Sequence, residues 1–164
     1  MKAIIIKRLE HNNNPLPRYM TKGSAAFDLY SCLTRPHKFK TNCSDSNWQD
    51  SDRKVVNLAP NHIVLIPTGL KIQLDQDQCL LISLRSSVGT SGLIMPNSPG
   101  IIDSDYRGEI FIPLFNHSNR TITIRDGERL AQGRITDVLR YEFIEGEISD
   151  TERGAGGFGS TNYK

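Results

Sequence analysis

The chain is written as short apolar stretches broken every few residues by turn formers, and that punctuation constrains its fold more than any other feature. Runs with strand character fall at residues 4–9, 26–32, 62–66, 79–84, 109–115, 121–124, 130–138 and 141–144. Pro60-Asn61, Pro67-Thr68-Gly69, Asn97-Ser98-Pro99-Gly100 and Asp126-Gly127 separate several of them. Glycine and asparagine accept the backbone angles of tight turns, and proline presets them. No long stretch carries the i, i+3, i+4 apolar spacing of an amphipathic helix. Many short strands at close spacing predict an all-β fold, a jelly-roll-like barrel or sandwich. The 164 residues suffice for one such domain with a proper core.

Charge and cysteine usage narrow the partners. A formal net charge of +2 is too small for a general nucleic-acid-binding surface, so stable nucleic-acid binding is not expected. No apolar run approaches the roughly 18 residues of a membrane span, and the opening Met1-Lys2-Ala3-Ile4-Ile5-Ile6 stops at Lys7-Arg8, short of a signal-peptide core. Cys32, Cys43 and Cys79 are odd in number and lack the spacing of a zinc site, which points to a reducing compartment. A soluble intracellular protein is expected, with cytoplasm and nucleus both open.

Two segments stand apart from the strands. Residues 35–53 are polar around a lone Trp48 and read as a surface-loop insertion, its tryptophan either anchoring the loop or meeting a partner. Residues 145–152 form an acidic connector. The expected organisation is a β domain over residues 1–145, carrying the 35–53 insertion, and a connector with a glycine-rich arm over residues 146–164.

That arm, Arg153-Gly154-Ala155-Gly156-Gly157-Phe158-Gly159-Ser160-Thr161, is too rich in glycine to pack a core. It carries a guanidinium and hydroxyls suited to phosphate and a ring suited to a nucleobase. Either it is a lid that orders over a nucleotide or it is a glycine-rich tail without fixed structure. It is not a P-loop, because no Gly-Lys-Ser/Thr closes it. A second stretch, Gly100-Ile101-Ile102-Asp103-Ser104-Asp105-Tyr106-Arg107-Gly108-Glu109-Ile110, reads as a hairpin with Asp103, Asp105 and Tyr106 at its tip. A carboxylate there can act as a general base or bind a metal, or merely hydrogen-bond the turn. Leu84-Arg85-Ser86-Ser87 offers a guanidinium, two hydroxyls and turn amides, a cradle for phosphate. Gly127-Glu128-Arg129-Leu130-Ala131-Gln132 is a turn running into a strand, and Asp28 interrupts the apolar Ala25–Tyr30 stretch.

In order and spacing, Ala26-Phe27-Asp28-Leu29-Tyr30-Ser31, Arg85-Ser86-Ser87, Gly100 to Gly108, Gly127 to Gln132 and Arg153 to Thr161 closely resemble the five motifs of the homotrimeric dUTP diphosphatases (dUTPases). The resemblance runs from about Ser24 to the end of the sequence, with residues 35–53 foreign to it. It implies hydrolysis of dUTP to dUMP and pyrophosphate with Mg²⁺, which limits uracil incorporation into DNA and supplies dUMP for thymidylate synthesis. It makes Asp103 the base that activates water for attack on the α-phosphorus. Arg85, Ser86, Ser87 and Gln132 would hold the phosphate chain, and Asp28 would sit in the outer shell of the magnesium through water. Asn97, with Gly100, Ile101, Ile102 and Phe111, would read uracil, and Tyr106 would lie against the deoxyribose. Phe158 would stack on the base, while Arg153, Gly159, Ser160 and Thr161 would close over the phosphates. The resemblance further implies a homotrimer with shared active sites, each arm reaching a neighbour's pocket. Departures from the pattern are Leu84 before the Arg-Ser pair, Ala155 and Asn162 in the arm, and Gly133-Arg134 where two apolar residues are usual. Two rival readings remain: a dCTP deaminase resembles this fold and also uses an Arg-Ser-Ser segment, and a regulatory protein could keep the fold without the reaction.

Overall fold

A computed structural model describes residues 3–34, 37–40, 49–51 and 54–157. Thirteen strands and one helical turn follow in order: β1 (Ile5–Arg8), β2 (Phe27–Tyr30), β3 (His37–Lys40), β4 (Gln49–Ser51), β5 (Val55–Leu58), β6 (Ile63–Pro67), β7 (Leu70–Gln73), β8 (Gln78–Leu84), α1 (Ser86–Gly89), β9 (Leu93–Ile94), β10 (Gly100–Ile102), β11 (Phe111–Asn116), β12 (Ile122–Arg125) and β13 (Arg129–Asp137). They form a four-stranded sheet in the order β10-β8-β13-β2, a five-stranded sheet in the order β4-β3-β6-β11-β9, and two ribbons, β1-β7 and β12-β5. All pairings are antiparallel. The jelly-roll-like all-β expectation holds.

The core follows from strand alternation. Val64 and Ile66 on β6, with Ile112 and Leu114 on β11, turn one face of the five-stranded sheet inward; Leu80 and Ile82 on β8, Ala131 on β13 and Phe27 and Leu29 on β2 do the same from the four-stranded sheet. Burying a leucine or isoleucine side chain in full is worth about 1.5–3 kcal/mol, so this double layer sets the register of both sheets. Gly133 is where the layers leave no space. A Cβ there would come within 2.7 Å of a Phe27 ring carbon and 2.9 Å of Leu80 Cδ1. Its neighbour Arg134 is exposed on the opposite face.

The turns sit where the sequence places them. Asn61 adopts φ +61° and Gly127 φ +74°. Gly69 adopts φ +67°, and Asn12 occupies the space a side chain there would need. Asn12 Nδ2 donates to the carbonyls of Thr68 and Gly69 at 3.0 and 3.1 Å, which fastens the N-terminal segment to the turn between β6 and β7.

Three expectations need correction. The 35–53 insertion is not a bare loop: its described parts form β3 and β4, with Lys38 opposite Leu65 and Phe39 opposite Val64. β3 lies between β4 and β6, so the insertion extends the five-stranded sheet by two strands, with β4 at its edge. Trp48 lies outside the described residues. Residues 141–144 are not a strand either. They carry apolar residues as a strand would, but among the described residues no strand pairs with them. Finally, the Asp103 turn is not a hairpin tip. β10 pairs with β8 in one sheet, while β11 pairs with β6 and β9 in the other. The turn is therefore a corner linking the two sheets, tied down by Ile110, whose N–H donates to Leu70 O at 2.9 Å.

Candidate active site

The corner builds the first half of the site. Leaving the four-stranded sheet at Ile102 and entering the other at Phe111, the chain encloses a cleft of about 290 Å³ lined by Leu65, Asn97, Ile101, Ile102, Asp103, Tyr106, Glu109, Phe111 and Pro113. Asn97, Ile101, Ile102, Asp103, Tyr106 and Phe111 are thus brought together. Gly100 backs them: its missing Cβ would stand 3.3 Å from Asn97 Nδ2, so the amide lies close against bare backbone. Buried Glu109 takes a hydrogen bond from the Gly69 N–H through Oε1 at 2.7 Å, locking the corner to the β6–β7 turn. Tyr106 donates from its hydroxyl to Glu109 O at 2.9 Å. The Asp103 carboxylate is exposed at the cleft's rim.

The second half lies on the outer face of the four-stranded sheet. Register sets Ser83, Gln132 and Asp28 side by side on β8, β13 and β2. Asp28, with a side chain 12% exposed, binds two cations: Arg85 Nε at 3.0 Å on Oδ1 and Arg129 Nη1 at 3.1 Å on Oδ2. Two guanidiniums on one carboxylate leave the cluster with an excess positive charge, suited to a polyanion. Arg85 caps α1, whose own bonds begin with Val88 N–H to Arg85 O at 3.0 Å. The amides of Ser86 and Ser87 therefore stand outside that turn's ladder, beside their two exposed hydroxyls.

Arg129 is the residue the sequence reading passed over. Simple alternation from Ala131 would turn it toward the core. A register shift between Arg129 and Ala131 instead sets Arg129 opposite Tyr30 and Ala131 opposite Leu29. The extra residue flips Arg129 to the Asp28 face, a common use of a β-bulge beside a functional site. A strand pattern gives no sign of a bulge in advance. Leu65 and Pro113 were missed as well, because they reach the cleft through pairing between β6 and β11; Glu109 sits within the corner itself, and its burial there gave no sign in the sequence.

Among the described residues the two halves do not share one cleft. Arg85, Ser86, Ser87, Gln132 and Asp28 are absent from the cleft lining. Arg153 meets neither half; its Nε donates to Gly156 O at 2.9 Å within its own turn. Phe158, Gly159, Ser160 and Thr161 lie outside the described residues. Among the described residues no group of three or more His, Cys, Asp or Glu could hold a metal, and no helix is long and apolar enough to cross a membrane.

Comparison with known proteins gives the family. A family model described as dUTPase matches residues 51–162. The chain belongs to the dUTPase family. It is 38% identical over 169 residues to the deoxyuridine 5'-triphosphate nucleotidohydrolase of Hahella chejuensis, covering 99% of both chains. It is 40% identical over 167 residues to the protein of that name from Tolumonas auensis, covering 98% of both. Among solved structures, the dUTPase of Staphylococcus bacteriophage 80alpha with dUPNHPP superposes with a TM-score of 0.77 at 23% identity, covering 99% of this chain and all of that one. The dUTPase of Streptococcus mutans superposes with a TM-score of 0.66 at 26% identity, covering 84% of this chain and 98% of that one. As a dUTPase, the chain is a nucleotide hydrolase.

Proposed function

We propose that this dUTPase cleaves dUTP to dUMP and pyrophosphate with Asp103 as the general base, and that its product serves thymidylate synthesis while dUTP removal keeps uracil out of DNA. The observation that carries the reading is the corner itself, which lines one cleft with a carboxylate, an amide and a tyrosine. Uracil offers carbonyl acceptors and one N–H donor, which the Asn97 amide and the backbone around Gly100 and Ile101 can match. Cytosine would leave those groups unpaired, a large penalty in an enclosed site. Ile102 and Phe111 wall the base, and the Tyr106 ring stands where a ribose 2′-hydroxyl would need room.

Asp103 accepts a proton from water and orients its oxygen toward the α-phosphorus. Positioned acid–base groups of this kind are worth about 10²–10⁴ in rate. Arg85, Ser86, Ser87 and Gln132 hold the phosphate chain, with Arg129 steadying Asp28. Both Asp28 oxygens are engaged by guanidiniums, so this carboxylate suits a magnesium held through water and not by direct ligation. Magnesium keeps several waters and favours phosphate oxygens; bound with the triphosphate it would offset the charge that builds during cleavage. Arg153, Phe158, Gly159, Ser160 and Thr161 would then cover base and phosphates.

The separated halves favour a homotrimer in which one chain's cleft faces another chain's phosphate face. The segment after β13 points the same way. Leu139, Tyr141, Phe143, Ile144 and Ile148 are 72–96% exposed along it, a run of apolar side chains that a neighbouring copy would cover.

The test is pyrophosphate release from dUTP, dTTP, dCTP and UTP with Mg²⁺. Release from dUTP alone is expected. Ammonia from dCTP would indicate a deaminase instead, and binding of dUTP without turnover would indicate a regulatory protein.

A further inference from the structure

The sugar wall of the cleft depends on a residue that touches no ligand in the reading above. The Tyr106 side chain curls back over its own chain, and its hydroxyl reaches Glu109 O at 2.9 Å. To do so the ring passes over Gly108. A Cβ on Gly108 would overlap the tyrosine hydroxyl and Cζ, and would lie 2.9 Å from Cε2. Every one of the three nearest atoms belongs to Tyr106. The glycine's φ is not in the left-handed region, so the backbone there is open to any residue. The nearest demand for glycine at this position comes from the ring.

We propose that Gly108 is a positioning residue for sugar selection: by lacking a Cβ it lets Tyr106 lie flat across the corner, and this fixes the wall that rejects a 2′-hydroxyl. The inference rests on the proposed contact between Tyr106 and deoxyribose. The tip of a tyrosine can swing where a backbone cannot. An alanine at 108 therefore lifts the ring and breaks its bond to Glu109 O while sparing the fold. Glu109 itself stays fastened through its side chain to the Gly69 N–H, so the corner's path does not depend on the tyrosine hydroxyl. The consequence is confined to the wall. Ribonucleotides gain entry, and the binding of uracil and phosphate is left much as it was.

The experiment compares kcat/KM for dUTP and UTP in Gly108→Ala, Tyr106→Phe, Tyr106→Ala and the double variant Gly108→Ala/Tyr106→Ala, with the Tm of each. Gly108→Ala should reduce the preference for dUTP over UTP by about tenfold or more, as expected for a wall contact of one small group, chiefly through a lower KM for UTP, at nearly unchanged Tm. Tyr106→Phe, which keeps the ring, should retain most of the preference. The double variant should match Tyr106→Ala, because without the ring the added methyl meets nothing; that failure of additivity is the signature of a single shared contact. A wild-type preference in Gly108→Ala, with Tyr106→Ala relaxed, would overturn the role of Gly108 alone. A wild-type preference in Tyr106→Ala would overturn the sugar contact beneath it. A double variant worse than Tyr106→Ala, or a collapse in the Tm of Gly108→Ala, would mean that the glycine serves the backbone and would also overturn the inference.

Discussion

The two halves of the site are built on opposite principles. The cleft is shaped by exclusion: Gly100 brings bare backbone against Asn97, Gly108 makes room for Tyr106, and Asp103 stands exposed at the rim. The phosphate face is shaped by charge: Asp28 sits between Arg85 and Arg129 on a flat row of strands. Shape discriminates between neutral rings that differ by one methyl or hydroxyl, while charge grips any polyphosphate. A nucleotide hydrolase needs both, and here the cleft sits at the corner between the sheets while the charged face lies on the row of strands beside it.

Breaking the cleft's chemistry should have the largest effect. Asp103→Asn keeps size and hydrogen bonding but removes the base; kcat should fall about 10³-fold, within the range for such groups, while calorimetry still shows dUTP binding. Retained turnover would take the base away from Asp103. Next in size is a chain ending at residue 152, which loses Arg153 and Phe158. Loss of stacking alone is worth about 1–3 kcal/mol, and dUTP turnover should drop accordingly with Tm unchanged; a large fall in Tm would make the arm part of the fold. Arg85→Ala sharpens the contrast between halves. Charge-assisted hydrogen bonds are worth about 1.5–3 kcal/mol, so dUTP affinity should weaken by that order and affinity for deoxyuridine should stay as it was. Equal weakening of both would show that Arg85 supports the cleft too.

The smallest effect belongs to a residue in neither half. Burial pushes the Cys32 thiol above its ordinary value of 9.0, and the charges of Asp126 and Glu109 push the same way. A folded-state value raised above the unfolded one favours the protonated thiol. Its contribution to stability is complete below about pH 9 and is lost as pH climbs through the folded value. Cys32→Ala should therefore lose less Tm than the native chain between about pH 8 and pH 10; an identical alkaline decline would remove Cys32 as a contributor.

Local chemistry made much of this legible in advance. Asn61, Gly69 and Gly127 adopt left-handed backbone angles that few residues accept, so such residues mark strand ends. The candidate residues cluster in short motifs, and Asn97, Asp103 and Tyr106, grouped by the family resemblance, line one cleft. What depended on distant pairing was not legible. β9 is two residues long and exists because Phe115 and Asn116 lie beside it. β3 and β4 carry little apolar signal and form where β6 offers an edge. The corner looked like a hairpin because sequence cannot say that β10 and β11 choose partners in different sheets. Residues 141–144 show the converse: a strand pattern without a strand, since the pattern records a propensity to pair and not the presence of a partner.

On β13, Gly133 and Arg134 are adjacent but face different futures under mutation. At 133 two core side chains already occupy the volume that any larger residue would claim, so nearly every change is a loss. At 134 the side chain projects outward, and the fold within one chain is indifferent to its identity. Drift along this strand should therefore freeze position 133 and leave position 134 free. The arginine that breaks the family's apolar pattern stands where the chain could change without rebuilding anything beneath it.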